Sequence, residues 1–288
     1  MSATSSPQAA ARRQEPPEAG HTGPRRARAA RRRWPSWLTE QRVVATTAVV
    51  AALVAWQLVA LARVKPALIL PGPTDVIGAF KSLFSASAIW TDLWTSGEEL
   101  LVGLLLATVL GLPVGLLIGW YRRVSYALNP FVNFLYATPR IALTPLLIIW
   151  LGIGSSSKIA IVFLMAFFPI LINTAQGVQA LEQGAVRVAR CFGASDLQLF
   201  STVALPGTVP FIASGLRLAV GQALIGVFVA ELSGAQHGIG LMMSTAGQQF
   251  QTAKVFAGLF IFAFAGVSLT ALLRRVERHF AAWRPSTH

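Results

Sequence analysis

Charge is scarce in this sequence, and negative charge is scarcest of all. Only 12% of the 288 residues are charged, with 11 Asp and Glu against 24 Lys and Arg. Soluble domains carry roughly twice that charged fraction, whereas 54% of this chain is hydrophobic and its mean hydropathy is +0.59. The composition therefore indicates a membrane protein.

Residues suited to metal, disulfide and nucleotide chemistry are also few. Cys191 is the only cysteine, which excludes an internal disulfide and a Cys-based metal site. The four histidines, at positions 21, 237, 279 and 288, have no metal-binding spacing. The stretch GIGSSSK at 152–158 lacks the Gly before Lys that a phosphate-binding loop requires. We therefore predict no cofactor, no metal site and no enzymatic activity of the chain by itself.

Positive charge is unevenly distributed. Nine arginines precede residue 43, in a segment rich in Ala, Arg, Pro and Ser without amphipathic periodicity. We interpret residues 1–42 as a disordered basic tail, with anchoring at the anionic inner leaflet as its modest role. The other basic residues lie mostly at the ends of apolar runs, which is a topology signal. We expect membrane lipid as a partner and no nucleic acid.

The apolar runs predict an all-α polytopic membrane protein with a transmembrane domain at 43–288. The first run is uncharged and has about the 20 residues that span a hydrocarbon core. Its end, Ala60-Leu61-Ala62, resembles a signal-peptide cleavage site, but the run exceeds the usual apolar region of such a peptide, which favours an uncleaved anchor. The six predicted spans are 43–62, 100–120, 134–151, 159–177, 211–232 and 255–273.

The basic residues also predict orientation. Seventeen Lys and Arg residues fall on the side of the N-terminal tail, and five fall on the opposite side. By the positive-inside rule both termini are cytoplasmic, as is the segment 187–206.

The third span is interrupted by Pro139, Arg140 and Pro145. Proline inside a helix removes a hydrogen bond and bends the chain. Irregular backbone at membrane depth is tolerated only where protein covers it or where it lines a water-filled cavity. We therefore predict a bend that lines a cavity.

Three polar residues in or near the spans are candidates for lining that cavity. Arg140 would line it, or else pair with a carbonyl or a lipid head group. Asn173 would line the cavity or make an interhelical hydrogen bond. Glu231 would line the cavity or simply reach water at the outer end of its span. Arg217 lies near the cytoplasmic end of its span and is expected to snorkel.

Two further patterns concern the spans. No Asp or Glu falls in the middle of a predicted span. The glycines at 103, 111, 115 and 119 have the spacing of close helix packing, so we assign them to contact between helices.

Residues 187–206, RVARCFGASDLQLFSTVALP, predict two short cytoplasmic helices. Gly193 suits the left-handed cap that ends the first, and Ser195 with Gln198 matches a capping box that starts the second. Leu197 and Phe200 recur at helical spacing until Pro206, where we expect the helix to stop. A pair of amphipathic helices lying on the inner leaflet is the alternative.

The same stretch resembles the EAA loop of the inner-membrane subunits of bacterial ABC importers. That loop reads Glu-Ala-Ala, three residues, Gly, nine residues, an aliphatic residue, any residue, Leu-Pro. Here Gly193 is followed by nine residues and then by 203–206, Val-Ala-Leu-Pro. Arg187 stands where the family usually has Glu, so a salt bridge of relatives is not carried over. Segments 69–80, 111–120, 138–178 and 215–232 are similar to the nitrate, sulfonate and taurine branch of these permeases.

The resemblance implies a bacterial inner-membrane permease that forms a homodimer of six-helix subunits. It implies that the loop at about 182–210 docks as a coupling helix on a cytoplasmic ATP-binding subunit. An extracytoplasmic solute-binding protein would deliver a small solute, such as a sulfonate, taurine or nitrate. In such an importer of anions Arg140 would face the solute pathway, and Asn173 and Glu231 would be further candidates for lining it. The implied coupling residues are Arg187, Val188, Ala189, Gly193, Ser195, Asp196, Gln198, Phe200, Leu205 and Pro206.

An ion-coupled secondary transporter without an ATPase partner is the alternative function. Such a transporter is expected to show buried acidic residues for the coupling ion and an internal repeat. The sequence shows no repeat, and we find no acidic residue in mid-span.

Overall fold

The computed structural model describes residues 40–62, 69–181 and 183–280, and these residues form α-helices without any β-strand. The predicted tail at 1–42 lies almost wholly outside them. Contacts divide the chain into Met1–Val50 and Ala51–His288, and all packing described below lies within the second unit. In chain order the helices are α1 (Glu40–Leu61), α2 (Pro73–Ser85), α3 (Ala88–Trp120), α4 (Arg122–Ala137), α5 (Thr144–Leu151), α6 (Ser155–Gln179), α7 (Gln183–Cys191), α8 (Asp196–Leu199), α9 (Leu205–Leu232), α10 (Ile239–Gln248) and α11 (Thr252–Phe280).

Membrane-spanning helices dominate the described part of the chain. Five helices are long and apolar enough to cross a membrane. A sixth span results if the bent pair Arg122–Ala137 and Arg140–Leu151 is taken as one. The predicted all-α polytopic fold is therefore confirmed.

The core lies where α3, α6 and α9 pack together, and small residues let these helices approach closely. A Cβ atom added to Gly103 would lie 2.6 Å from the Cβ of Val162, and one added to Gly115 would lie 2.8 Å from the Cβ of Thr174. Ala107, Val162 and Ala223 are each 0% exposed. The assignment of the α3 glycines to helix packing is confirmed.

The predicted interruption of the third span is a sharp bend. Helix α4 ends at Ala137, a 3₁₀ turn covers Arg140–Leu143, and α5 begins at Thr144, so the two halves meet at 85°. Pro145 occupies the first turn of α5, where its missing N–H would have no helical partner anyway. Pro139, which precedes the 3₁₀ turn, and Pro145 therefore mark the division of one apolar segment into two helices.

The predicted helix stop at Pro206 is wrong. The chain stays helical from Asp196 to Leu232. Phe200–Ala204 form a π-turn in which the N–H of Leu205 bonds to the carbonyl of Phe200. Pro206 follows in the first turn of α9. The wider turn precedes the proline, and proline is tolerated at such a position because its N–H is not needed there.

Several helices begin before the predicted spans. Helix α3 begins at Ala88 and α6 at Ser155, so Glu99 and Lys158 lie inside helices and not in outer loops. The short helices α2 and α10 were not predicted. Asp75 accepts the N–H of Gly72 at 2.8 Å and caps the start of α2.

We predict that Gly103→Ala destabilises the fold. The added methyl group meets the buried Val162 side chain, and such overpacking costs about 1–3 kcal/mol. Gly97→Ala on the same helix is the control, because nothing lies within 4 Å of an added Cβ there. Thermal unfolding in detergent should show a lower midpoint for the first variant only. Equal midpoints for the two variants would contradict the described α3–α6 packing.

Candidate functional site

The loop at 187–206 begins with a closed helix end. The N–H of Ala194 bonds to the carbonyl of Ala189 at 3.1 Å, and the N–H of Gly193 bonds to the carbonyl of Arg190 at 3.0 Å. This pair of bonds is a Schellman motif. It requires a left-handed residue, and Gly193 has φ of 78°. The predicted glycine cap is present.

The second helix of the loop starts from the predicted capping box. The amide N–H of Gln198 bonds to Ser195 Oγ at 3.3 Å, and the N–H of Ser195 bonds to Gln198 Oε1 at 2.9 Å. Arg190 Nη2 lies 3.6 Å from Asp196 Oδ1 across the turn, with both side chains largely exposed. The turn between the two helices is thus fixed by hydrogen bonds at the end of the first helix and at the start of the second.

One side of this loop is anchored to the membrane core. Leu199 and Ala204 are each 0% exposed. The ring of Phe200 lies edge-on against Trp120 at the end of α3, with 5.3 Å between ring centroids. A cavity of about 520 Å³ opens beside this contact, with Pro113 and Leu197 in its wall.

The loop also carries uncovered apolar residues. Phe192 is 87% exposed, Leu197, in the wall of that cavity, is 77% exposed, and Val188 is 57% exposed. Arg187 is also exposed, Ala189 is half-buried, and Leu205 and Pro206 are exposed at the start of α9. Exposed apolar residues on a short, rigid, polar-flanked turn are typical of a protein contact or a membrane contact.

The candidate pathway residue Arg140 lies at the bend of the third span. Its guanidinium carbon lies 5.2 Å from the ring centre of Tyr136 and 5.6 Å from that of Phe168. Its Nη1 atom is buried and has no hydrogen-bond partner among the described residues. Cation–π contacts thus position a charged group that keeps unused donors.

No contact among the described residues joins the other two candidates to Arg140. Asn173 Nδ2 bonds at 2.8 Å to the carbonyl of Pro169 in its own helix, and not to a neighbouring helix. Glu231 is 0% exposed, so the expectation that it reaches water is wrong. Its carboxylate accepts hydrogen bonds from Ser96 Oγ and from the N–H of Gly240. Arg217, expected to snorkel, has its Nη2 2.9 Å from Glu277 Oε2.

A buried ion pair was missed by the sequence reasoning. Lys158 Nζ lies 3.4 Å from Glu99 Oε1, with side-chain exposures of 7% and 0%. The pair joins α3 to α6. The prediction that no Asp or Glu falls in mid-span is not contradicted, because Glu99 precedes the span at 100–120 and Glu231 lies at the end of the span at 211–232. Both residues are nevertheless buried. The available signal for the Glu99–Lys158 pair was that the two residues have opposite charges and precede two predicted spans on the same predicted side of the membrane.

Metal chemistry finds no support in the part of the chain that the structure describes. No group of three or more His, Cys, Asp or Glu residues there is placed to hold a metal ion.

Known proteins resemble this chain over most of its length. Residues 111–282 match the family described as binding-protein-dependent transport system inner membrane component. A Bacillus subtilis (strain 168) protein named for aliphatic sulfonates transport, the permease SsuC, is 38% identical over 231 residues, which is 80% of this chain and 84% of that protein. The taurine transport system permease protein TauC of Escherichia coli (strain K12) is 32% identical over 256 residues, which is 87% of this chain and 92% of that protein.

A solved structure shares the fold. A chain of the methionine ABC transporter MetNI, in an inward-facing crystal form, superposes with a TM-score of 0.54 at 21% identity, covering 67% of this chain and 96% of that one.

We predict that Lys158→Met destabilises the protein strongly, because it leaves the Glu99 carboxylate buried and uncompensated. Breaking a buried pair from one side typically costs about 3–5 kcal/mol. The double variant Lys158→Met/Glu99→Leu should recover most of that loss, and Lys81→Met, an exposed lysine, should change little. Thermal unfolding in detergent measures all three. A double variant as unstable as the single one would show that the two groups do not interact.

Proposed function

The chain belongs to the family of binding-protein-dependent transport system inner membrane components, and from that premise we propose that its 187–206 loop contacts the ATP-binding subunit and that its solute is a small organic anion. The chain is the membrane-spanning subunit of an ABC importer in the inner membrane, and ATP hydrolysis belongs to a separate subunit. Family membership sets aside the ion-coupled secondary transporter. Importers of this family work with an ATP-binding subunit and a solute-binding protein and contain dimerised permeases.

The exposed apolar residues of the loop support the proposal for coupling. Phe192 and Leu197 project from the two sides of a turn that Gly193 and the capping box hold closed. A fixed pair of apolar side chains loses little entropy on binding, so it suits a groove on a partner protein. The resemblance to the EAA loop names that partner as the ATP-binding subunit.

Coupling then works by rigid-body movement. When two ATP-binding subunits close around nucleotide, each pulls on one loop of the two permease copies. The loop is continuous with α9 through the π-turn, so its movement reorients the attached spans. The cavity between the two copies thereby changes its open side.

The proposed solute class rests on Arg140 and on the relatives. Sulfonates and taurine are in the names of SsuC and TauC. A guanidinium with unused donors at a bend in the membrane suits a sulfonate group, because Arg forms paired hydrogen bonds with planar or tetrahedral oxyanions. A panel of sulfonates, taurine, nitrate and an uncharged pyrimidine in uptake assays tests this class.

We predict that Leu197→Asp and Phe192→Ser each prevent co-purification of the ATP-binding subunit. An acidic residue in the first turn of α8 is compatible with the helix dipole, so loss of binding will not reflect loss of the helix. Gly184→Ala is the control, because it lies exposed on α7 with nothing near an added Cβ. Pull-down from membranes and thermal unfolding are the measurements. Full assembly of both variants, with unchanged ATP-driven uptake, would reject the loop as the contact.

We predict that Arg140→Gln lowers the uptake of the preferred anion roughly tenfold or more, since a hydrogen bond to a charged group contributes about 1.5–3 kcal/mol. Arg140→Lys, which keeps the charge and loses the planar fork, should be intermediate. Arg123→Gln removes an exposed arginine and should transport normally. Uptake is measured in proteoliposomes at saturating binding protein. If Arg140→Gln transports anions at the normal rate, Arg140 does not line the pathway.

A further inference from the structure

Helix α10 is held firmly at its N-terminus. The N–H of Gly238 bonds to Asp92 Oδ1 at 2.9 Å, the N–H of Ile239 bonds to Ser96 Oγ at 2.9 Å, and the N–H of Gly240 bonds to the Glu231 carboxylate. Side chains from α3 and α9 thus take up the free donors that a helix leaves at its start. Ile239 and Ala246, at the two ends of α10, are 1% and 4% exposed. This helix is therefore a fixed part of the outer end of the fold.

The C-terminus of α10 closes with the same hydrogen bonds as the coupling loop. The N–H of Gln251 bonds to the carbonyl of Ala246 at 2.8 Å, and the N–H of Phe250 bonds to the carbonyl of Gly247 at 3.1 Å. The left-handed position of this motif favours glycine, and at the coupling loop it is Gly193 with φ of 78°. Here it is Phe250 with φ of 57°, and no other non-glycine residue in the described ranges has a positive φ.

The strained phenylalanine gains little from packing inside the chain. Its side chain is 67% exposed. Backbone strain persists where the surrounding structure enforces it, and it concentrates at functional sites. A residue that is strained and exposed suggests a role outside the protomer.

The glutamines next to Phe250 in sequence are uncharged, and Lys254 lies four positions away. Gln248, Gln249 and Gln251 are exposed beside Phe250. Gln251 Nε2 bonds to Gln249 Oε1 at 2.9 Å, and Gln248 Nε2 bonds to Ser244 Oγ at 3.4 Å. An aromatic side chain within an uncharged polar rim is the usual composition of a protein–protein hot spot. Three adjacent amides oppose insertion into hydrocarbon, and Trp and Tyr, not Phe, are the usual anchors at the head groups.

The distribution of charge places this turn on the outer side of the membrane. The far end of α11 carries Arg274 and Arg275, whereas Lys254 is the only basic residue within five positions of Phe250. By the positive-inside rule the arginine end is cytoplasmic. The partner that meets a permease from the outer side is its solute-binding protein.

We propose that Phe250, presented by the rigid α10 and ringed by Gln248, Gln249 and Gln251, is an anchor for docking of the extracytoplasmic solute-binding protein. The proposal rests on the importer function proposed above. Holding the ring in a strained but fixed position lowers the entropy lost on docking. The aromatic ring then fills a pocket on the binding protein while the amides bond around it.

The test uses the assembled transporter in nanodiscs, with its ATP-binding subunit and its binding protein. Phe250→Gly should keep or raise the unfolding temperature, because glycine relieves the left-handed strain, and it should leave basal ATP hydrolysis unchanged. Its affinity for the binding protein should fall about tenfold or more, and stimulation of ATP hydrolysis should be lost. Phe250→Trp should restore docking. Thr245→Ala, an exposed position on the same helix, should behave as wild type.

Three results would overturn the proposal. One is unchanged affinity of Phe250→Gly for the binding protein. Another is a lowered unfolding temperature in the glycine variant, which would assign the ring to internal packing. The third is a lipid-facing ring: in a Cys191→Ala background, a fluorophore on Phe250→Cys would be quenched by brominated lipid. Failure of the importer function itself is distinguishable, because the wild-type chain would then not assemble with the ATP-binding subunit.

Discussion

Charge that is buried among membrane-spanning helices has to be compensated within the protein, and this requirement fixes how α3, α6 and α9 meet near Glu99, Lys158 and Glu231. Glu99 is fully buried, and its Oε1 lies 3.4 Å from the cation of Lys158. Glycines on α3 set how close α6 can come, and the ion pair sets which residues face each other. A rotation of either helix would separate the charges without access to water, so the pair specifies one register. The bonds from Glu231 and Ser96 then attach α10 to this frame.

Two parts of the protein depart from the usual placement of side chains. Near Lys158 and the start of α10, the carboxylates of Glu99 and Glu231 are buried and receive a salt bridge or hydrogen bonds. In the 187–206 loop, Phe192 and Leu197 are exposed on a turn. The buried polar groups stabilise one arrangement of helices, because each loses its partner if the arrangement changes. The exposed apolar groups contribute little to the stability of the isolated chain, which is expected of residues whose packing partner is another protein.

Local rules were sufficient for much of this architecture. Hydropathy located the spans, the prolines located the bend, and Gly193 with the Ser195 capping box predicted the turn, since each of these depends on neighbours in sequence. The Glu99–Lys158 pair was not predictable in this way. A charge lowers the apparent hydropathy of a segment equally whether or not it finds a partner in space, so the predicted spans began after Glu99 and after Lys158. The outcome at Glu231 likewise depended on Ser96, which is distant in sequence.

The misplaced stop at Pro206 has a mechanical consequence. A helix that ended there would leave a flexible joint between the 187–206 loop and the membrane core. The observed helix instead covers the 37 residues of Asp196–Leu232, a length of about 55 Å at 1.5 Å per residue. Its first turn carries Leu197, and its last carries Glu231, which holds α10. A force on the loop would therefore reach α10 through one helical element. The π-turn at Phe200–Ala204 and Pro210 inside α9 are irregularities near its start, and at the π-turn Phe200 also contacts Trp120 of α3. Bending that separates the loop from the rest of the helix is expected at these two positions, because a π-turn widens the helix and an interior proline removes a hydrogen bond. Under the proposed coupling, their stiffness decides how much of the partner's movement reaches the membrane core.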